Sequence, residues 1–368
     1  MVLTSSFGRA SPIVGALGFA RYLHEHGVEV LFASLDAQYL QGRHILDEVR
    51  TSGVPHACFN VVGWQGLLRH VHRIRSYVQD RSIDVVVSCL LRPDLANAWL
   101  PNVLRIASLR IATREGLGSS HGRLVTDVAT RMHTMALKRM DGIFSMSTEM
   151  TDDLVSAGIR PTQICTVNNF VDVTAISRFA RDTTDSAVVH IGLFGRLIPR
   201  KRVDLAIQAM AILVHRHGCR AVQLHVVGDG PLQSAMMTLA HELKVSDRVI
   251  FHGYMPEPFP LMAKMNLVVL TSESEGTPRC LMEAMAMGKT CVSSSIAGVQ
   301  HLTIEKKTGY LFQPRDAEGL AALLHRVITH RLYLSAQEVI KFMQDNFDVG
   351  GCSGQMLKEI EHLLHARY

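Results

Sequence analysis

Leu267-Val268-Val269-Leu270 runs into the polar stretch Thr271-Ser272-Glu273-Ser274-Glu275-Gly276, and Thr277-Pro278-Arg279-Cys280-Leu281-Met282-Glu283 follows. Four successive aliphatic residues bounded by a polar, glycine-containing loop read as a buried parallel strand, and the apolar run from Pro278 to Met287 reads as a helix. Strand, loop and helix in this order are the unit of a doubly wound α/β sheet, whose ligands bind outside the carboxyl ends of the strands. With Thr277 as N-cap and Pro278 as the first helical residue, the amides of Arg279 and Cys280 are expected to stand free in the first turn. Such amides, aided by the helix dipole, suit a diphosphate.

Glu283 sits among Leu281, Met282, Ala284, Met285, Ala286 and Met287, on a helix that is apolar almost all round. An unpaired buried carboxylate costs several kcal/mol, so Glu283 needs donors, either sugar hydroxyls or a neighbouring arginine or backbone. Glu275 stands in the loop before it, at the same end of the sheet. One of the two carboxylates is read as holding a transferred sugar and the other a ribose. A second loop, Gly195-Arg196-Leu197-Ile198-Pro199-Arg200-Lys201, directly follows the strand Val188 to Phe194. Gly195 permits close backbone approach, and Arg196 and Lys201 are placed to converge on phosphate oxygens. Cations and helix amides together stabilise the charge that builds on a diphosphate leaving group without a metal. No Asp and His cluster at metal-ligand spacing appears.

Outward from these loops, β-branched runs alternate with amphipathic stretches along the whole chain. The second series comprises helix Asp204 to His217, strand Gln223 to Val227, helix Pro231 to Leu243, strand Val249 to Phe251 and strand Thr290 to Ser293. The first comprises strands Val2 to Thr4, Glu29 to Ala33, Asp84 to Ser88, Arg110 to Ala112, Gly142 to Ser145 and Ile164 to Val167, with helices Ile13 to His26 and Val125 to Arg139. Residues 173 to 186 read as a polar linker. A length of 368 residues fits two domains at roughly 100 to 200 residues each. Hydrophobic residues make up 47% and charged residues 19%, so a full core is expected and disorder is not. No stretch reaches the roughly 18 uncharged apolar residues of a membrane span, and Met1 to Ser6 lack a signal-peptide pattern, so a cytoplasmic location is expected. The seven cysteines are scattered and read as reduced and structural. A net charge of +5 is too small to argue for nucleic acid. Between Trp64 and Arg139, however, basic residues outnumber acidic ones, and that band reads either as a solvated face or as contact with an anionic membrane.

These residues resemble glycosyltransferase family 4. The resemblance is carried by Gly195-Arg196-Leu197 with Lys201, Val227-Gly228-Asp229-Gly230-Pro231, Phe251-His252-Gly253, Glu275 and Glu283 within Glu-Gly-Thr-Pro and Leu-Met-Glu-Ala-Met-Ala-Met-Gly, and Thr308-Gly309-Tyr310-Leu311. It implies the GT-B fold, two Rossmann-like doubly wound parallel-sheet domains facing each other across a cleft. The expected boundaries are 1–172 for the acceptor domain, 187–340 for the nucleotide-sugar domain, and 341–368 for a helix crossing back onto the first. It implies a retaining transfer from a UDP-sugar or GDP-sugar to a saccharide or lipid-linked saccharide, with no metal required. Glu275 would contact the donor sugar, Glu283 the ribose, and Arg196 and Lys201 the diphosphate. Gly195, Gly276, Thr277, Arg279 and Cys280 would line the donor, and the base would lie near Tyr254 and Met255.

The chain departs from the family pattern in its first half. The glycine pair usual in the first loop falls at Ala10 and Ser11, which leaves Arg9 and Ser11 as acceptor-side or sugar-side candidates. The family's donor-sugar histidine is expected after the strand at Arg110, where Thr113-Arg114-Glu115-Gly116 stands with His121 beyond it. Arg114, Glu115 and His121 all remain candidates for that role. The acidic residue usual after Ser-Ile-Ala-Gly is His301 here. A sugar-nucleotide epimerase and a non-catalytic nucleotide-sugar-binding homologue are the alternative functions.

Overall fold

The computed structural model describes residues 1–36, 44–61, 63–110, 123–181 and 187–367. The chain divides into two units, Met1–Phe170 with Val349–Tyr368, and Val171–Asp348.

The first unit begins with β1 (Val2–Ser6), α1 (Ser11–Glu25), β2 (Phe32–Asp36), α2 (Leu46–Thr51), β3 (His56–Cys58), α3 (Gly63–Asp80) and β4 (Val85–Ser88). It continues through α4 (Leu91–Asn97), β5 (Leu104–Ser108), α5 (Arg123–Leu137), β6 (Gly142–Ser145), α6 (Thr148–Ser156) and β7 (Ile164–Thr166). The strands form one parallel sheet in the order β3-β2-β1-β4-β5-β6-β7. The reversal of order between β1 and β4 is the switch point of a doubly wound fold.

The second unit contains α7 (Val173–Ser177), β8 (Val189–Phe194), α8 (Val203–His215), β9 (Val222–Val227), α9 (Gln233–Glu242), β10 (Val249–Gly253), α10 (Phe259–Met262) and β11 (Leu267–Leu270). After these come α11 (Arg279–Ala286), β12 (Thr290–Ser294), α12 (Ala297–Gln300), β13 (Gly309–Phe312), α13 (Ala317–Thr329) and α14 (Ala336–Phe347). Its parallel sheet runs β10-β9-β8-β11-β12-β13, with the switch point between β8 and β11. One core cluster lies between this sheet and α8, α9 and α13, and another lies on the opposite face with α11 and α14. Both faces are therefore covered, which is why the strands read as continuous apolar runs.

The strand expected at Arg110 to Ala112 falls, apart from Arg110, outside the described residues; the described strand before it is β5, Leu104–Ser108, which pairs with β4. Arg110 donates to Asn169 Oδ1 at 2.7 Å. Three sequence expectations need correction. The strand placed at Glu29 to Ala33 is β2, and its pairing with β1 begins only at Phe32. The segment 173 to 186 is not wholly loop-like: Asp172 Oδ1 accepts from the Ala175 amide at 2.8 Å and caps α7, which buries Val173 and Ile176. The return to the first unit starts at Val349 rather than 341, because α14 packs within the second unit and Asp348 is extended. The returning helix, α15 (Val349–His365), lays Met356 and Ile360 into the core that α1 builds with Phe19 and Ala20. Each such large side chain contributes about 1.5–3 kcal/mol of burial.

On β8, β9 and β10, three histidines form a row that the linear sequence hides. His190 Nδ1 lies 3.0 Å from His225 Nε2, and His225 Nδ1 lies 3.0 Å from His252 Nε2. Neutral rings satisfy this chain, since each ring can donate from one nitrogen and accept at the other. Burial, and then the charges of His190 and His252, push the central His225 down to about 4 from an ordinary 6.5. Between those two values the unfolded chain binds a proton that the folded chain refuses, so stability falls as the pH falls. Urea unfolding midpoints are expected to drop as pH is lowered from 6.5 toward 4. His225→Leu should reduce that slope, the remainder belonging to His190 and His252, which burial also lowers, and an unchanged slope would contradict the assignment.

Candidate active site

The pairing of β8 with β11, with Leu267 opposite Ile191, brings the loops that follow both strands to one edge of the sheet. Lys201 Nζ donates to Glu275 Oε1 at 2.5 Å, and an Arg200 guanidinium nitrogen lies 3.3 Å from Glu275 Oε2. The Glu275 side chain is only 9% exposed. Burial alone would raise its carboxyl, but the charges of Lys201 and Arg200 prevail and hold it below the usual carboxylate range. Backbone and side-chain bonds fasten the two loops together: Glu273 N–H donates to Arg200 O at 2.9 Å, and Thr271 Oγ1 donates to Lys201 O at 2.8 Å. Arg200 also donates to the Ser274 carbonyl.

Arg202 and Glu273, which the sequence did not single out, brace this arrangement. Arg202 takes a left-handed backbone conformation at φ 46° and donates to Asp204 and Glu273, at 2.8 Å in each case. Those bonds raise the Arg202 guanidinium above its usual range, and Arg315 shares Glu273 at 2.8 Å. Only the chain's return through α8 and β11 makes them neighbours, so no local spacing announces them.

Two glycines are fixed by contact. Gly228 has φ +133°, and a Cβ there would lie 1.9 Å from the Gly195 carbonyl oxygen. A Cβ on Gly298 would lie 1.9 Å from the Glu275 carbonyl oxygen and 2.2 Å from that of Gly276. Gly195, Glu275 and Gly276 are thus held by backbone packed directly on backbone.

The helix α11 starts one residue later than expected. Pro278 is its N-cap, with no side-chain cap bond, and Thr277 Oγ1 lies instead 3.5 Å from His301 Nε2. The first-turn amides are still those of Arg279 and Cys280, aimed at the edge where Glu275 lies. Glu283 is not left to external donors, because Arg279 Nε donates to its Oε1 at 2.8 Å along one helical turn. The Cys280 thiol is pushed up to about 11, chiefly by burial, and it feels the opposed charges of Lys201, Glu275 and Glu283. That mutual influence puts Lys201, Glu275, Cys280 and Glu283 in one neighbourhood. Arg196 is exposed beside it, and Met255 packs against the core on the same face as Phe194 and Val227. Tyr254 is half-buried at the end of β10.

In the first unit, Arg9 pairs with Glu48, and Ser11 is exposed at the start of α1. Arg114, Glu115 and His121 lie outside the described residues. Among the described residues, no group of three or more His, Cys, Asp or Glu could hold a metal ion.

Residues 188–330 match the family model for glycosyl transferases group 1, and residues 12–169 match that for the glycosyl transferase 4-like domain. The chain belongs to the glycosyl transferase family that these two models describe. The lipopolysaccharide core biosynthesis glycosyltransferase LpsE of Rhizobium meliloti is 26% identical over 278 residues, 72% of this chain and 77% of that protein. The N-acetyl-alpha-D-glucosaminyl L-malate synthase of Bacillus anthracis is 32% identical over 175 residues, 44% of each chain. The match thus spans under half the length of that enzyme, and 34% of the Escherichia coli lipopolysaccharide 1,6-galactosyltransferase, which is 30% identical over 122 residues. Among solved structures, Anabaena Alr3699/HepE in complex with UDP superposes with a TM-score of 0.80 at 19% identity, covering 98% of this chain and 99% of that one. This glycosyltransferase therefore has the GT-B architecture of two Rossmann-like domains.

Gly298→Ala is expected to displace the Glu275–Gly276 backbone and to weaken nucleotide binding at least tenfold, roughly the cost of one strained backbone contact. Calorimetric titration of the variant checks this, and unaltered affinity would show that the loop does not need its observed position.

Proposed function

We propose that this glycosyltransferase transfers a hexosyl group from a UDP-sugar, with retention, to a saccharide or lipid-linked saccharide at the cytoplasmic face of a membrane, in cell-surface polysaccharide or glycolipid synthesis. The observation that carries the reading is the charge balance at the end of β8 and β11. Two cations, Arg200 and Lys201, stand against one carboxylate, Glu275, with Arg196 exposed in the same loop, while Glu283 already has Arg279. Arg202 and Arg315 are matched by Asp204 and Glu273. The positive charge gathered in this loop answers the diphosphate of a nucleotide sugar, and the first turn of α11 adds its amides.

In this reading Arg196 and Lys201 bind the diphosphate and stabilise the charge that grows on it as the glycosidic bond breaks. Glu275, ionised and buried, orients the sugar hydroxyls. Glu283 takes the ribose, with Arg279 fixing its rotamer. Tyr254 and Met255 flank the base, and Gly195, Gly276, Thr277 and Cys280 line the donor. Arg9, Ser11, Arg114, Glu115 and His121 are assigned to the acceptor or sugar side, and the chemistry needs no metal. Structures of Anabaena Alr3699/HepE with UDP, with UDP and glucose, and with UDP-glucose are similar to this one, which favours a UDP-sugar over a GDP-sugar. The named relatives are transferases and synthases, which supports transfer over epimerisation.

A thermal-shift panel of UDP, GDP and ADP with and without Mg²⁺ tests the donor assignment. At about a hundredfold over Kd the matching nucleotide should add ~2.7 kcal/mol, independent of metal. A GDP-only or strictly Mg²⁺-dependent shift contradicts it. Lys201→Ala is expected to lower kcat by about 100-fold or more, the scale of losing one charge-stabilising donor. Glu283→Ala should instead raise the donor KM about tenfold, one lost hydrogen-bonded charge. Equal kinetics for both variants and the wild type would remove the site assignment. Release of an altered sugar nucleotide without acceptor would favour the epimerase, and donor binding without turnover the non-catalytic homologue.

A further inference from the structure

The inner face of α5 is fixed to the first unit by burial and by the polar bond of His133. Ala129, Ala136 and Leu137 are buried, and His133 Nε2 lies 2.8 Å from the fully buried Asp94 Oδ2 on α4. Ser88 Oγ and the Asn97 amide extend that bond into a buried network at the end of β4. With this side committed, the outer side faces outward by geometry.

That outer side is apolar. Leu124 is 79% exposed, Val125 55%, Val128 49%, Met132 45% and Met135 68%. Val125, Val128, Met132 and Met135 recur at spacings of three and four, so they form one stripe along the helix. Elsewhere among the described residues, large exposed apolar side chains occur singly, the ordinary state of a protein surface. A contiguous stripe marks an interaction surface. At its carboxyl end Trp99 is 61% exposed, with the Arg139 guanidinium 4.0 Å from its ring centroid. A tryptophan with an apolar body and a cation stacked on it suits a membrane interface.

The charges on this face decide the occupant. Arg131, Lys138 and Arg139 are exposed along the stripe and just beyond it, and the one acidic residue of α5, Asp127, is half-buried on its flank. Two copies of this chain meeting along the stripe would set cation against cation, whereas anionic headgroups would satisfy them. Nucleic acid would satisfy the cations and leave five large apolar side chains in water.

We propose that the outer face of α5, together with Trp99, is the surface by which this glycosyltransferase sits on an anionic lipid bilayer, its apolar stripe in the acyl boundary and its cations among the headgroups. The proposal rests on the membrane-side placement advanced above and gives it a location, while donor chemistry in the second unit is read out independently.

The test is sedimentation of the full chain with vesicles of phosphatidylcholine alone or mixed with phosphatidylglycerol, with the UDP thermal shift measured on the same samples. Wild type should partition onto the mixed vesicles and be released by salt. Val128→Glu with Met132→Glu should lower partitioning more than tenfold, and Arg131→Gln with Lys138→Gln about 30-fold at low salt, with the UDP shift unchanged in both. Should the glutamate pair fail to fold, the glutamine pair and Met135→Gln at its highly exposed position carry the same reading. Absence of vesicle binding by wild type, or binding equal in wild type and folded variants, overturns the proposal. So does a wild-type dimer by light scattering that the glutamate pair dissolves, which would make the stripe a self-interface. Loss of the UDP shift in wild type would instead count against the donor assignment.

Discussion

The second unit is organised around a carboxylate that the fold forces out of water. Glu275 is held where β8 and β11 lie side by side, and Lys201 and Arg200 reach it from the neighbouring loop. Taking a carboxylate out of water costs several kcal/mol unless it is paired and hydrogen-bonded. The loops are therefore committed to each other before any ligand arrives, and the backbone bonds from Glu273 and Thr271 follow from that commitment. Because two cations serve one anion and Arg196 stands outside the pair, an incoming diphosphate does not have to break the Glu275 contact to find positive charge. In the proposed function the site is thereby preorganised for the diphosphate at little reorganisation cost, the condition under which fixed charges act most strongly on a developing one.

What could be read from the sequence was what is local. The strand Leu267–Leu270 and the helix behind Pro278 follow from aliphatic runs and a polar loop, and both are present with nearly the expected ends. The contact that gives the loop its chemistry joins Lys201 to Glu275 across 74 positions, and only strand order determines it. Arg202, Glu273 and the histidine row belong to the same class, since each is assembled from strands or loops whose adjacency no periodicity reveals. The strand expected at Arg110 to Ala112 is a separate case, since all of it but Arg110 lies outside the described residues, and the strand described there, Leu104–Ser108, is the one that pairs with β4. The cap at Thr277 failed for another reason: its hydroxyl faces His301, and Pro278, whose extended backbone stands before the helix, takes the N-cap position itself.

The two units share a winding rule and use their switch points differently. At the carboxyl end of β4 in the first unit, Ser88, Asp94, Asn97 and His133 are buried and hydrogen-bonded to one another. Arg9, in the loop after β1, is tied to Glu48. The polar groups described at that edge are engaged in holding helices in place. At the equivalent edge of the second unit, cations gather and the helix amides stand in the first turn of α11. An edge whose charges are internally balanced has little to offer a diphosphate, whereas an edge rich in cations attracts one. In the proposed function, donor chemistry is legible from residue types in the second half of the chain because that binding depends on charge. Acceptor selection by the first unit would then rest on the shape of its loops, and residue type alone does not encode shape.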